Sequence, residues 1–212
     1  MSARRRRRDR RRKRAAPWPR PGRGQGPAQP ADAAPEPPTG ALDLQQRSAV
    51  VALGALPAAR PEEVASPEAI VTAVYAAISG PAEREQPRDW DRFRTLFLPG
   101  ARFLLTRWGD RRAGQQEDVL RQWDLERFIA VARMFYRESA FWEREIWHRT
   151  ERFGNVAHVF STYESRVGSP DSEPVGRGIN SFQLVRTAGR WWIANVAWDV
   201  EVEGNPIPEE YR

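Results

Sequence analysis

A chain of 212 residues with 40% hydrophobic residues, nine Trp and nine Phe has the material for one core, which excludes a fully disordered protein. It has no Cys and two His. That removes disulfides, thiol nucleophiles, iron–sulfur clusters and Cys-based zinc sites, and leaves carboxylates, Arg, Tyr, Ser and His to carry any chemistry. The longest apolar run, around Ser48 to Ala59, falls well short of the roughly 20 residues that a membrane-crossing helix needs.

The formal net charge of +6 is unevenly spread. Residues 1–60 hold fourteen Lys and Arg against four Asp and Glu, and the remainder holds twenty against twenty-four. The basic excess is therefore a leader attached to a mildly acidic domain. Arg4 to Arg14 is an almost unbroken basic block, and Ala15 to Gly40 is largely Pro, Gly, Ala and Arg, too poor in apolar residues to offset the entropy of ordering. Residues 1–60 are expected to be disordered. Three readings stay open for them. An Arg block can bind nucleic acid by counterion release, the one route by which nucleic acid enters as a partner. The Arg, Ala, Pro and Gly bias is also what a reading frame opened too far upstream gives in GC-rich coding sequence. Finally, the run from Ala49 to Ala59 has the look of a signal h-region, so the expected cytoplasmic location becomes export if residues 48–59 act as one.

The domain is expected over residues 61–205, with a tail at 206–212. Ser66-Pro67-Glu68 opens a helix: Ser caps free amides, Pro suits the first turn and Glu complements the dipole. Ile70, Val71, Val74, Tyr75 and Ile78 recur at helical spacing until Ser79-Gly80-Pro81 stops them. Asp89 begins a shorter helix, with Trp90, Phe93, Leu96 and Phe97 on one side, ended by Leu98-Pro99-Gly100. Ala101 to Arg107 and Glu117 to Trp123 are expected as short strands. Asp124 caps a third helix, with Leu125, Phe128, Ile129, Ala132 and Phe135 as its apolar stripe. After Ser139 the period changes to two, giving strands at Phe141–Phe153, Val156–Val167, Val175–Arg186 and Arg190–Val202. Gly154-Asn155 suits a type II′ hairpin, and Thr187-Ala188-Gly189 a three-residue one.

This order, with Ser66-Pro67-Glu68-Ala69-Ile70, the segment from Asp91 to Ala101, Phe153-Gly154-Asn155-Val156-Ala157 and Gly189-Arg190-Trp191-Trp192-Ile193, resembles the nuclear transport factor 2-like superfamily, with its SnoaL-like cyclases, scytalone dehydratase and ketosteroid isomerase. The resemblance implies an α+β fold, a cystatin-like cone with three helices in the N-terminal half packed on a strongly curved antiparallel sheet. It also implies a pocket in the concave mouth and a homodimer. The quoted motifs are scaffold motifs and leave the chemistry open.

Uninterrupted pairing from Gly154-Asn155 gives the Phe141–Phe153 and Val156–Val167 strands two faces. One collects Arg144, Ile146, His148 and Thr150 with Ala157, Val159, Ser161 and Tyr163. The other collects Glu143, Glu145, Trp147, Arg149 and Glu151 with His158, Phe160, Thr162, Glu164 and Arg166. The first is less charged and is assigned to the concave side. His148 then lies opposite Ser161, and Tyr163 opposite Ile146. Glu145 falls opposite Glu164, a like-charge pair that needs a neutralising neighbour, and Arg149 and Arg166 on that face can make it a salt-bridged ladder. In the second hairpin Gly176, Gly178, Asn180, Phe182 and Leu184 share an apolar face with Trp192, Ala194, Val196, Trp198 and Val200. Arg177 faces Asp199 on the opposite side, where Trp191 is taken as exposed or dimer-facing.

The leading functional expectation is a domain that binds a small, partly apolar ligand in the cone through Tyr75, Ser161, Asn180 and Trp198, with neither metal nor cofactor. The alternative is a SnoaL-like isomerase, dehydratase or cyclase with His148 and Tyr163 as catalytic residues, or a His148 that is merely a satisfied imidazole. Two departures weigh against a known mechanism. Ala101 to Arg107 has no Asp where a ketosteroid isomerase-like base would stand, and His148 has no evident carboxylate partner on its face.

Overall fold

The computed structural model describes residues 58–107 and 119–212; the basic leader, nearly all of the candidate h-region and the connection over 108–118 lie outside the described residues. The helix openings follow the caps. Before α1 (Pro67–Ile78) the Ser66 Oγ accepts from the Ala69 amide at 3.1 Å. Asp89 accepts from Arg92 N at 2.9 Å ahead of α2 (Trp90–Arg94), and Asp124 from Arg127 N at 2.8 Å ahead of α3 (Leu125–Tyr136). Each of these bonds satisfies an amide that the helix itself leaves free.

Six strands form one sheet: β1 (Phe97–Arg107), β2 (Val119–Asp124), β3 (Phe141–Phe153), β4 (Val156–Val167), β5 (Gly176–Thr187) and β6 (Arg190–Val200). Their order is β2-β1-β6-β5-β4-β3. The helices pack on one face of it, giving the expected α+β cone. One pair departs from the antiparallel expectation, because β1 runs parallel to β6. The Leu98-Pro99-Gly100 segment does not end α2. It lies inside β1, where the register against β6 shifts between Phe97 and Arg102 and Gly100 takes φ 84°. Between sheet and helices sit Phe93, Phe97, Phe103 and Phe128, with centroids 4.3 to 6.3 Å apart, beside the fully buried Ile70, Leu184 and Ile193. Each such side chain contributes about 1.5–3 kcal/mol by leaving water.

Two registers differ from uninterrupted pairing. In β3·β4 the expected partners hold from Trp147↔Thr162 to Phe153↔Val156, including His148↔Ser161, and Gly154 takes φ 55° in the two-residue turn. Between Glu145 and Trp147 the register shifts, so Glu145 pairs with Tyr163 and Arg144 with Glu164. Ile146 is the extra residue of a bulge, which exchanges the faces of everything before it. The Glu145–Glu164 clash therefore does not arise. Arg144 Nη2 and Arg166 Nη2 instead hold Glu164 Oε1 at 2.6 and 2.5 Å.

In β5·β6 the turn is Ala188-Gly189, both at positive φ (49° and 78°), with Thr187 paired to Arg190. A second bulge leaves out Ala194, so Asp199 faces Ile179 rather than Arg177. Trp191 consequently turns into the core at 1% exposure, contrary to the surface role expected of it. Trp192 takes the opposite side, under the Arg190 guanidinium at 3.6 Å from its ring centroid. That outer face is partly covered by the C-terminal segment. Ile207 is buried there, Tyr211 packs edge-on against Trp147 and Phe160, and its carbonyl accepts from Thr162 Oγ1 at 2.6 Å.

Arg88 joins α1 to the sheet. Its guanidinium donates to the carbonyls of Ile78 (2.7 Å), Pro81 (3.2 Å), Gly80 (3.2 Å) and Phe141 (3.4 Å) and lies 4.0 Å from the Tyr136 ring centroid. The Ile78 carbonyl belongs to the end of α1, where the helix supplies no amide partner, while the Gly80 and Phe141 carbonyls also accept from each other's amides. Replacing Arg88 by Met leaves the Ile78 carbonyl without its donor in a buried place and removes the charged tie to the others, so unfolding in urea should show a loss of about 2–4 kcal/mol. The exposed Arg84→Met should stay within about 0.5 kcal/mol of the parent.

Candidate functional site

The start of β3 is fixed by the chain just after α1. Gly80 and Phe141 exchange both backbone hydrogen bonds, at 2.7 and 3.0 Å. Ser79 then imitates a strand with its side chain: its Oγ accepts from Glu143 N at 2.9 Å and donates to Glu143 O at 3.1 Å. With the Ile146 bulge ahead of it, Glu143 is directed to the helix side of the sheet.

There it meets a cavity of about 190 Å³ between α1, α2, α3 and the sheet. Phe103, Phe128, Phe182 and Trp198 supply apolar wall, and Glu143, Tyr136, Tyr163 and Asn180 supply the polar lining. Trp198 is held by Trp123, stacked at 6.0 Å, and by the edge contact of Phe128 at 6.3 Å. Tyr163 needs the absence of a side chain at Gly178, where a Cβ would come within 2.5 Å of the tyrosine oxygen. The space left by that glycine is thus occupied by Tyr163 rather than offered to a ligand.

Burial pushes the Glu143 carboxyl up to about 8, against a hydrogen bond from Asn180 that favours the ionised form. Burial, with the nearby Glu143, likewise raises the hydroxyls of Tyr75, Tyr136 and Tyr163 above the ordinary phenol range. At neutral pH the cavity therefore presents a protonated carboxyl and neutral phenols. This combination can donate hydrogen bonds to a ligand acceptor, and the carboxyl can gain or lose a proton near neutrality.

Behind the cavity runs a row of buried polar side chains. Asn180 Nδ2 donates to the Tyr75 hydroxyl at 3.0 Å, Tyr75 meets Ser161 Oγ at 2.7 Å, and Ser161 donates to Glu145 Oε2 at 2.5 Å. Glu145 Oε1 stands 2.7 Å from His148 Nδ1. Of the residues singled out from the sequence, Tyr163, Asn180 and Trp198 line the cavity, while Tyr75 and Ser161 stand behind it. His148 shares the inner face with Ser161 but does not line the cavity; its side chain is 40% exposed, beside the start of α1, where it acts on Glu68. It does have a carboxylate partner, Glu145, which uninterrupted pairing put on the other face. Glu143, Glu145 and Tyr136 were missed by sequence reasoning. The repulsion forced on Glu145 and Glu164 was a usable signal, since moving one residue along brings Arg144 to Glu164 instead. Among the described residues no His, Asp and Glu cluster has the form of a metal site, and no helix is long and apolar enough to cross a membrane.

No family model and no curated protein matches the chain. Solved structures do resemble it. An uncharacterised protein with a cystatin-like fold from Caulobacter vibrioides aligns at 12% identity and TM-score 0.45, over 65% of this chain and 88% of its own. An NTF-2-like protein of unknown function from Silicibacter pomeroyi aligns at 15% identity and TM-score 0.42, over 63% and 92%. A protein of unknown function with a cystatin-like fold from Nostoc punctiforme aligns at 12% identity and TM-score 0.43, over 62% and 86%. Their names describe folds and carry no activity to this chain.

In the fold Glu143 keeps its proton up to about pH 8, whereas the unfolded chain releases it near the ordinary value of 4.5. Between these values the folded state binds more protons, so this group's contribution to stability falls as pH rises through the window and is fully lost above it. Calorimetric Tm should decline more steeply from pH 5 to pH 9 in the parent than in Glu143→Gln, which is neutral throughout. Parallel slopes would show that the carboxyl ionises normally.

Proposed function

We propose that the domain binds a small, largely apolar molecule with one hydrogen-bond acceptor, such as a ring ketone or phenol, in the cavity at Glu143. The observation that carries this reading is a carboxyl group set among aromatic rings in the lining of a space of about 190 Å³, where burial raises its pKa and favours its neutral form. An apolar cavity of about 150 Å³ takes benzene, so a one- or two-ring molecule is the fitting size. Trp198 and Phe128 meet its apolar body, and Glu143, Tyr163 and Asn180 meet its polar end. The assembly we propose is a homodimer, for which light scattering on the purified chain is the check.

Proton transfer is the second reading, favoured by the titration of Glu143 close to neutrality. In it the chemistry is of the isomerase or dehydratase type, with Glu143 carrying the proton beside Tyr163. This replaces the earlier assignment of that role to His148, which stands outside the cavity lining.

A panel of ring ketones and phenols should raise the Tm of the parent and leave Trp198→Ala and Glu143→Gln little changed. Absence of any shift across the panel would end the binding reading. Incubating the ketones that bind in D₂O separates the two readings. Deuterium entering next to the carbonyl with the parent and not with Glu143→Gln marks proton transfer, and binding without exchange marks a binder.

A further inference from the structure

The row from His148 to Asn180 has a direction that its chemistry imposes. A carboxylate only accepts, so the single proton of Ser161 is committed to Glu145. Ser161 must then accept from Tyr75, and Tyr75, its own proton spent, can only accept from Asn180. The Asn180 amide is thereby obliged to turn its NH₂ group, and not its carbonyl, toward Tyr75. All three intermediate side chains are buried, at 0% (Ser161), 4% (Tyr75) and 7% (Asn180) exposure, so water cannot readily replace a missing partner.

We infer that Glu145, held by His148 at the exposed end of the row, is a positioning residue for the cavity: by taking the Ser161 proton it fixes the orientation of the Asn180 amide and so which group Asn180 offers to Glu143. In the imposed orientation Asn180 donates to Glu143 and supports its ionised form. With the row broken, the Tyr75 hydroxyl or the space it occupied no longer dictates the amide. The carbonyl can then turn toward Glu143, which favours the protonated carboxyl. The inference borrows its functional meaning from the reading of Glu143 as the ligand-facing group, but the row itself involves no ligand.

The groups around Glu143 from each packed element are Tyr75 on α1, Tyr136 on α3, with Arg88 and Glu83 beside it, and Tyr163 on β4, with Asp199 and Arg107 beside it. Glu145 lies on the same strand, and Arg144, Arg166 and Asp171 share the cleft on its other side. Ser161→Ala and Tyr75→Phe break the row without altering any of these charges. Ser161→Thr keeps the hydroxyl and is the rescue.

The test is a pH titration of the full chain, labelled with ¹³C-carboxyl Glu, followed by NMR with no ligand present. The Glu143 midpoint should move up by about one pH unit in Ser161→Ala and in Tyr75→Phe, and stay near the parent value in Ser161→Thr. Unchanged midpoints in folded Ser161→Ala and Tyr75→Phe would overturn the inference. The parent protein supplies a second readout that survives misfolding of the variants. Asn180 side-chain NH₂ protons should show a nuclear Overhauser effect to the ring protons of Tyr75 next to its hydroxyl, and its absence would equally overturn the inference. Neither readout uses a ligand, so a failed ligand panel with shifted midpoints disposes of the proposed function alone.

Discussion

β3 has one residue more than the strand it pairs with, thirteen against twelve, and both of its ends are pinned. Phe141 is tied to Gly80 and to Arg88, and Phe153 is tied to Val156 across a two-residue turn. A strand so held must expel its surplus residue somewhere between, and Ile146 is where it does. Everything chemical on the inner face depends on that single residue. Were Ile146 paired in register, Glu143 and Glu145 would project with Trp147 and Arg149 from the outer face, and the inner face would present Arg144 to the aromatic core. With Ile146 outside the ladder, the two carboxyls come inward and Arg144 goes out to Glu164, where Arg166 already waits.

The two inward carboxyls then meet different surroundings, which gives them different work. Glu145 lies toward the exposed end, accepts from a hydroxyl and stands beside an imidazole. Glu143 lies among aromatic rings with one amide in support, and its burial favours the neutral form. A protein of this size has about 5–15 kcal/mol of net stability. A carboxyl that resists ionisation spends some of it, which is intelligible if the group is kept for what it offers a ligand.

Much of this fold was legible in the sequence because its signals are local. Ser66, Asp89 and Asp124 act as caps through bonds to amides three residues on. The bounds of β3 and β4 follow from alternation and from Gly154 in its turn. What was not legible depends on distant partners. No local pattern distinguishes a strand of thirteen residues pinned at both ends from one free to run in register. The same holds for Trp191 and Trp192, adjacent and chemically alike, whose faces are decided by a bulge at Ala194 and by a turn one residue shorter than expected. The parallel pairing of β1 with β6 joins residues about ninety positions apart. Part of the site was therefore found, as Tyr163, Asn180 and Trp198, since β4 and that stretch of β5 and β6 kept their faces. The carboxyls were missed because they lie on the far side of the bulge.

The Arg88 contacts differ greatly in how far apart their partners stand in the chain. Ile78, Gly80 and Pro81 are seven to ten residues away, whereas Phe141 is 53 away. Closing a loop of ten residues takes on the order of 10–100 ns, and longer loops lose more entropy before they gain contacts. The three near carbonyls can thus gather around the guanidinium without β3 and leave two of its five N–H groups, one of which reaches Phe141. The first residue of β3 docks onto a socket whose other parts are all near in the chain, so its position rests on local contacts rather than on its pairing with β4.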